Sequence, residues 1–178
     1  ETDSALLSIT GFPAFAVDNP VIRKHTESVI SDKLEGRYGC KRFLLDGHQT
    51  ALEDGYRLHY DPTELKQFKD IECEWPLFFA YLLLNSLFAG KVEAAAKYRN
   101  KLEALQVEQN RQKLLPELYF VPNELIDAEK AAPYSQVRIP NENIPLVWAQ
   151  SLFILGSLIQ EGLLALDDID PLGRYKAC

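Results

Sequence analysis

The chain has 178 residues, of which 47% are hydrophobic and 25% are charged, and its formal net charge is −7. This composition is typical of a soluble globular protein and excludes an intrinsically disordered chain. The acidic balance argues against a nucleic-acid surface, and the longest apolar stretch, Trp75 to Leu84, is about half as long as a membrane span.

The first predicted helix is Pro20–Leu34. Asn19 before it is a good N-cap residue, and proline is favoured at the first helical position. Apolar residues then recur at helical spacing and predict one buried face, formed by Val21, Ile22, Val29, Ile30 and Leu34.

The next two helices are expected to form a pair. A long irregular segment, Gly36 to Ile71, separates them from the first helix, and Asp61-Pro62 within it predicts a short helix. Trp75–Ala89 is apolar on nearly all sides, which indicates a buried helix. Lys91–Leu105 is amphipathic and follows at once, so the two should pack as an antiparallel hairpin.

The last long helix is predicted at Pro145–Glu161, after a second irregular region. Strand signals are weak, and the best of them is the short apolar run Leu118–Val121. No repeat and no low-complexity linker divides the chain, so residues 1–178 are predicted to lack an internal domain boundary. The fold class expected from these elements is all-α, built from helix pairs.

Cysteine and histidine spacing gives no sign of a metal or redox site. Cys40, Cys73 and Cys178 match no zinc or redox motif, and the three histidines show no ligand spacing. We therefore expect no metal and no cofactor. Reduced cysteines are the simplest interpretation, and they predict a cytoplasmic location.

Glu117 is a lone carboxylate in the apolar run KLLPELYFVP, between Pro116 and Pro122. An isolated charge in apolar surroundings is costly unless it has partners. One interpretation is a buried salt bridge to Arg37 or Arg42. The other is a carboxylate in a cleft that acts on a sugar.

Other candidate site residues lie in the long loops or at the starts of helices. Glu72 and Glu74 either cap the helix that begins at Trp75 or face a cleft and accept hydrogen bonds from sugar hydroxyls. Trp75 and Trp148 either pack in the core or offer indole platforms for sugar rings. Together with Arg37, these residue types form a carbohydrate-type arrangement.

Several strings carry a family resemblance, namely RYGCKRFL, LHYDP, IECEWP and DIDPLGR. From Phe12 onward nearly the whole chain resembles the regulatory α and β subunits of phosphorylase kinase, and bacterial proteins with the same domain are similar. That domain resembles the glucoamylases of glycoside hydrolase family 15. The resemblance implies an (α/α)6 toroid, with a sugar pocket formed by loops at one end of its inner helices.

The resemblance also assigns roles to residues. P-E-L-Y resembles the glucoamylase S-E-Q-Y motif, which places Glu117 at the position of the general base. L-V-W-A resembles L-T-W-S and places Trp148 at a pocket tryptophan. Gly36-Arg37-Tyr38 resembles the sugar-contacting G-R-Y motif, whereas the Trp75-Pro76 order is reversed relative to the family N-P-W. The family's general acid lies upstream of G-R-Y and has no counterpart here.

The resemblance therefore identifies residues 1–178 as the C-terminal part of the glucoamylase-like domain. It implies a regulatory or scaffold module in glycogen and carbohydrate metabolism, within a kinase complex. The partners of this module would be the remainder of the toroid or neighbouring chains. The resemblance leaves open whether the module retains a pocket for a glucan or oligosaccharide. The alternative is the C-terminal part of an active inverting glucosidase with Glu117 as base. The chain alone is not expected to be active.

Overall fold

The computed structural model describes residues 2–177, and its regular structure is mainly helical. The seven α-helices of this part of the chain are α1 (Leu7–Thr10), α2 (Pro20–Leu34), α3 (Pro76–Phe88), α4 (Val92–Ala104), α5 (Ile126–Ala131), α6 (Val147–Gln160) and α7 (Leu166–Ile169). A mainly helical chain is therefore confirmed. Cys178 lies outside the described residues.

Short 3-10 helices and strands lie between these helices. The 3-10 helices are Ser4–Leu6, Glu64–Phe68, Asn123–Leu125 and Arg174–Ala177. The strands form two antiparallel pairs, β1 (Val107–Gln109) with β2 (Gln112–Leu114), and β3 (Tyr119–Phe120) with β4 (Ile139–Pro140). β3 lies within the apolar run that carried the best strand signal. The 3-10 helix after Asp61-Pro62 matches the short helix predicted there.

The β1–β2 hairpin was not predicted from the sequence. Its two turn residues, Asn110 and Arg111, both have positive φ, at 53° and 64°. Two-residue hairpin turns need this backbone conformation, but the usual sequence signal for it is a glycine at the second position. The strands are also mostly exposed and polar, so they lack the alternating apolar pattern that indicates a strand.

Helix α2 begins as its sequence predicts, but it buries less of its surface. The Asn19 side chain accepts a hydrogen bond from the Val21 amide at 2.9 Å and caps the helix. Only Ile30 and Leu34 of the predicted apolar face are buried, whereas Val21 and Ile22 are 73% and 51% exposed. The prediction of one continuous buried face is therefore wrong for the first turn of α2.

Helix α3 is the centre of the core. Of its 13 residues all are buried except Asn85 and Leu87, as expected for a helix that is apolar on nearly all sides. Fully burying a leucine or phenylalanine side chain contributes about 1.5–3 kcal/mol, so this helix is a dominant source of stability. No helix within residues 2–177 is long and apolar enough to cross a membrane.

The predicted hairpin of α3 and α4 is confirmed by side-chain contacts. Phe79, near the start of α3, has its ring centroid 5.7 Å from that of Tyr98 in α4. The ammonium of Lys101, near the end of α4, lies 4.5 Å from the centroid of the same Phe79 ring. The two helices therefore run in opposite directions.

Helix α6 packs against α3 at a point where only a very small residue fits. A Cβ atom added to Gly156 would lie 2.7 Å from Cδ2 of Leu83 and 3.0 Å from its Cγ. The helix begins at Val147, two residues later than predicted, and the Leu146 amide donates to the Leu115 carbonyl at 3.0 Å. This bond joins the start of α6 to the segment that carries Glu117.

The tight contact between α3 and α6 can be tested with Gly156→Leu. We expect this change to lower the free energy of unfolding by about 1–3 kcal/mol, because overpacking outweighs the gain in helix propensity. Gly55→Leu is the matched control, since a Cβ there meets no atom within 4 Å, and it should change the value by less than about 0.5 kcal/mol. Urea unfolding measures the free energy of unfolding of both variants. Equal losses in the two would contradict a tight contact between α3 and α6.

Candidate functional site

Two amide side chains hold the carboxylate of Glu117. Its Oε2 accepts hydrogen bonds from Gln49 Nε2 at 3.1 Å and from Asn141 Nδ2 at 2.7 Å. Asn141 Nδ2 also donates to Gln49 Oε1 at 2.9 Å, so the two amides fix each other. The main chain of Glu117 is held too, because its amide donates to the Asn143 carbonyl at 3.0 Å. Glu117 is therefore a half-buried carboxylate with polar partners.

The salt-bridge interpretation of Glu117 is wrong. Arg42 instead pairs with Asp46 through two hydrogen bonds, of 2.6 and 2.7 Å. Arg37 donates to the carbonyl of Tyr134 at 3.2 Å. Within residues 2–177, Glu117 forms no ion pair inside 4.0 Å, so amide groups rather than a cation stabilise its charge.

The Gly36-Arg37-Tyr38 loop is held by Glu74. The Tyr38 amide donates to Glu74 Oε2 at 2.7 Å. A Cβ atom added to Gly36 would lie 2.2 Å from the same carboxylate, so only glycine leaves it enough room. Arg37 itself is exposed, with its guanidinium 5.4 Å from the centroid of the Tyr38 ring. Glu74 thus lies behind this loop and supports it.

Five charged side chains form a buried charge cluster, which consists of Lys41, Glu72, Glu74, Glu129 and Arg138. Lys41 Nζ lies 2.8 Å from Glu72 Oε2. Arg138 lies between the other two carboxylates, with Nε 3.1 Å from Glu74 Oε1 and Nη2 3.4 Å from Glu129 Oε1. Each of the five side chains is at most 3% exposed. Three carboxylates and two cations leave a formal charge of −1.

The same carboxylates organise the surrounding loops. Besides its ion pair, each accepts at least one main-chain N–H bond, and the donors are Tyr38, Leu45, Tyr134 and Gln136. Arg138 also donates to the main-chain carbonyl of Glu72. Burial raises the pKa of Glu74, and the nearby Arg138 opposes that rise. The cluster therefore ties several loops to the start of α3.

The capping interpretation of Glu72 and Glu74 is wrong. Trp75 is the N-cap residue of α3, and no side chain caps this helix. Both carboxylates are almost completely buried and bond to protein donors. A contact between these two residues and a sugar stays a prediction that the structure does not test.

The two tryptophans differ sharply in exposure. Trp75 is 7% exposed, with the Arg42 guanidinium 5.2 Å and the His48 ring 6.1 Å from its ring. Trp148 is 56% exposed, and its indole Nε1 donates to the Tyr81 hydroxyl at 3.0 Å. Trp148 therefore has an anchored edge and an accessible ring, as a stacking platform requires.

The segments that carry Glu117, Arg37 and Trp148 lie side by side. Tyr38 and Tyr119 have ring centroids 5.0 Å apart, which brings the Arg37 loop beside β3. The bond between Leu146 and Leu115 joins the start of α6 to the same region. The three predicted side chains form no hydrogen bond, ion pair or ring contact with one another within the described residues. Their convergence on one concavity stays a prediction.

Sequence reasoning missed Gln49, Asn141, Glu129 and Arg138. The two amides lie 92 positions apart, and neither belongs to a motif. Arg138 carried a weak signal, since it is a lone charge between Val137 and Ile139. Within residues 2–177 no group of histidine, cysteine or carboxylate side chains is arranged to hold a metal ion.

Comparison with known proteins agrees with the resemblance drawn from the sequence. The family model for glycosyl hydrolases family 15 matches residues 16–178. Phosphorylase b kinase regulatory subunit alpha, skeletal muscle isoform, of Mus musculus is 50% identical over 175 residues, 98% of this chain and 14% of the relative. The liver isoform of Mus musculus is 47% identical, and the probable alpha subunit of Caenorhabditis elegans is 45% identical, with the same coverage. The chain thus spans 14% of the length of these relatives.

Removal of Arg138 should expose the energetic role of the buried charge cluster. Arg138→Met should lower the free energy of unfolding at neutral pH by about 3–5 kcal/mol, because it leaves Glu74 and Glu129 buried without their cation. The loss should shrink as the pH falls, since protonation removes the uncompensated negative charge. Urea unfolding between acidic and neutral pH measures this difference.

Arg57→Met is the matched control, because Arg57 forms an exposed ion pair with Glu64 and its loss should change stability little. A loss in Arg138→Met that stays constant with pH would indicate lost packing rather than uncompensated charge.

Proposed function

The chain belongs to glycosyl hydrolases family 15. We propose that it is a regulatory module and not a working hydrolase. Specifically, it is part of a phosphorylase b kinase regulatory subunit that acts in glycogen metabolism in the cytoplasm. The observation that carries this proposal is the 50% identity to the alpha subunit over 98% of the chain. Its partners are the other parts of that subunit and neighbouring chains of the kinase complex.

The module forms the C-terminal part of an (α/α)6 toroid, with no internal boundary. The antiparallel packing of α3 and α4 is the kind of helix pair from which such a toroid is built. Exposed apolar side chains also support this arrangement. Val147 and Ile154 on α6 are 69% and 49% exposed, and Val21 on α2 is 73% exposed. Val147 and Ile154 are seven residues apart and lie on one face of α6, and an exposed apolar face is a surface on which another helix can pack.

A sugar site on this module would use Glu117, Trp148 and Arg37. The two amide donors on Oε2 of Glu117 fix the orientation of its carboxylate. Trp148 offers an accessible ring, and Arg37 is an exposed donor beside Tyr38. Glu72, Glu74 and Trp75 support the surrounding loops from the interior. The ligand class is a glucan or an oligosaccharide.

The regulatory role can be tested by exchanging segments. We expect that this chain, placed in the skeletal muscle alpha subunit of Mus musculus instead of its matching segment, supports assembly of the kinase. We also expect regulation of its activity on phosphorylase b to be retained. The reason is that half of the residues are identical to those of the segment replaced, and the buried charge cluster lies wholly within this chain. Co-purification and kinase assays provide the measurement.

The control for this exchange is the same chimera with Arg138→Met, which should assemble poorly because the loops lose their buried anchor. A chimera that folds but neither joins the complex nor retains regulation would overturn the proposal.

The isolated chain should show no measurable hydrolysis of malto-oligosaccharides. An inverting mechanism needs a proton donor as well as a base, and Glu117 can act only as the base. Loss of one acid–base partner typically costs about a hundred- to ten-thousand-fold in rate. The assay compares glucose release by the wild type and by Glu117→Gln, with Glu142→Gln as an exposed control. Release that disappears only in Glu117→Gln would show a complete active site and contradict the regulatory proposal.

A further inference from the structure

A cavity of about 540 Å³ lies at the far end of α3 from the Glu117 region. Residues 76 and 88 mark the two ends of this helix, and at about 1.5 Å per residue its ends lie roughly 20 Å apart. The cavity is lined by α1 and the segment after it, the first turns of α2, the end of α3 and the 3-10 helix near the C-terminus. Its volume is within the range of sites for small molecules, about 300–1,000 Å³.

The cavity is positively charged although the chain as a whole is acidic. Its charged lining residues are Arg23, Lys24, Lys91 and Glu27, which sum to +2. Lys91 pairs with Glu27 at 3.2 Å. Within residues 2–177, Arg23 and Lys24 have no ion-pair partner inside 4.0 Å. Two cations are thus available to an incoming anion.

Arg23 carries a second sign of a missing partner. Its Nε atom is buried and has no hydrogen-bond partner among the described residues. Buried donors are nearly always satisfied, and leaving one unpaired is unfavourable. An oxygen atom of a bound anion would satisfy this donor. The first amides of α2 are not available for the purpose, because the Asn19 side chain already accepts from Val21.

Part of the cavity lining is aromatic. The ring centroids of Phe15 and Phe88 are 5.1 Å apart, and those of Phe88 and Tyr175 are also 5.1 Å apart. Asn85 fixes the segment that carries this wall, since its Oδ1 accepts from the Phe12 amide at 2.8 Å and its Nδ2 donates to the Leu7 carbonyl at 3.0 Å. The aromatic part of the lining is therefore an apolar surface whose backbone is held in place.

We propose that this cavity binds a small organic anion. Its phosphate or carboxylate group pairs with Arg23 and Lys24, and its apolar body lies against Phe15 and Phe88. Guanidinium and ammonium groups recognise both kinds of headgroup, and aromatic side chains favour contact with an apolar body. The site does not depend on the sugar pocket, because it uses other residues at the other end of α3.

The test titrates the chain with phenyl phosphate, which combines both recognition elements, and follows binding by calorimetry and by heteronuclear NMR. Inorganic phosphate supplies the headgroup alone, and benzyl alcohol supplies the ring alone. We expect both to bind at least about tenfold more weakly than phenyl phosphate. Phenylacetate against phenyl phosphate then distinguishes a carboxylate site from a phosphate site.

Matched charge variants on α2 locate the binding. Arg23→Gln and Lys24→Gln should each weaken phenyl phosphate binding by about tenfold, the usual effect of losing a charge-assisted hydrogen bond. Lys33→Gln removes the same charge from an exposed position of the same helix and should leave binding unchanged. Lys24 is exposed, so its replacement provides a variant that does not disturb the fold.

Three results would overturn the proposal. The first is binding that does not saturate by about 10 mM phenyl phosphate, because such an affinity is too weak for a specific site. The second is equal weakening by Lys33→Gln, which would indicate general attraction to positive charge. The third is equally tight binding of benzyl alcohol, which would indicate an apolar cavity without anion recognition.

Discussion

The arrangement of loops around the start of α3 depends on the buried charge cluster, and within it on Arg138. Moving charges out of water is costly, and only close pairing together with further hydrogen bonds offsets that cost. Glu74 and Glu129 share the guanidinium of Arg138, and Lys41 pairs with Glu72. Loss of Arg138 would leave both Glu74 and Glu129 buried without a cation, whereas loss of Lys41 would leave Glu72 alone. Arg138 is therefore the group on which most of the cluster depends.

This dependence explains why the candidate sugar residues lie on irregular segments. A carboxylate such as Glu117 needs a fixed orientation, and Gln49 and Asn141 provide it through hydrogen bonds from two separate loops. Helix α3 supplies the rigid part, since Tyr81 near its middle accepts a hydrogen bond from the indole of Trp148. Irregular backbone is acceptable here because main-chain amides find acceptors in buried carboxylates instead of in regular secondary structure.

The helices could be predicted because their signals are local. Asn19 caps α2, Pro76 follows the N-cap residue of α3, and continuous apolar character indicated that α3 is buried. The charge cluster could not be predicted, because its members are far apart in sequence. The hydrogen bond from the Arg138 side chain to the Glu72 carbonyl, for example, joins positions 66 residues apart. The role of Glu117 was suggested by family resemblance, but its amide partners depend on tertiary contacts that no spacing rule describes.

One part of the cavity wall joins two stretches of the chain that are far apart in sequence. The rings of Phe15 and Tyr175 are 6.3 Å apart, although 160 positions separate the two residues. Such a contact belongs to the folded chain, because closing a loop of this length costs conformational entropy. A ligand held in the cavity would therefore stabilise the whole fold against unfolding, since it binds the folded chain and not the unfolded one.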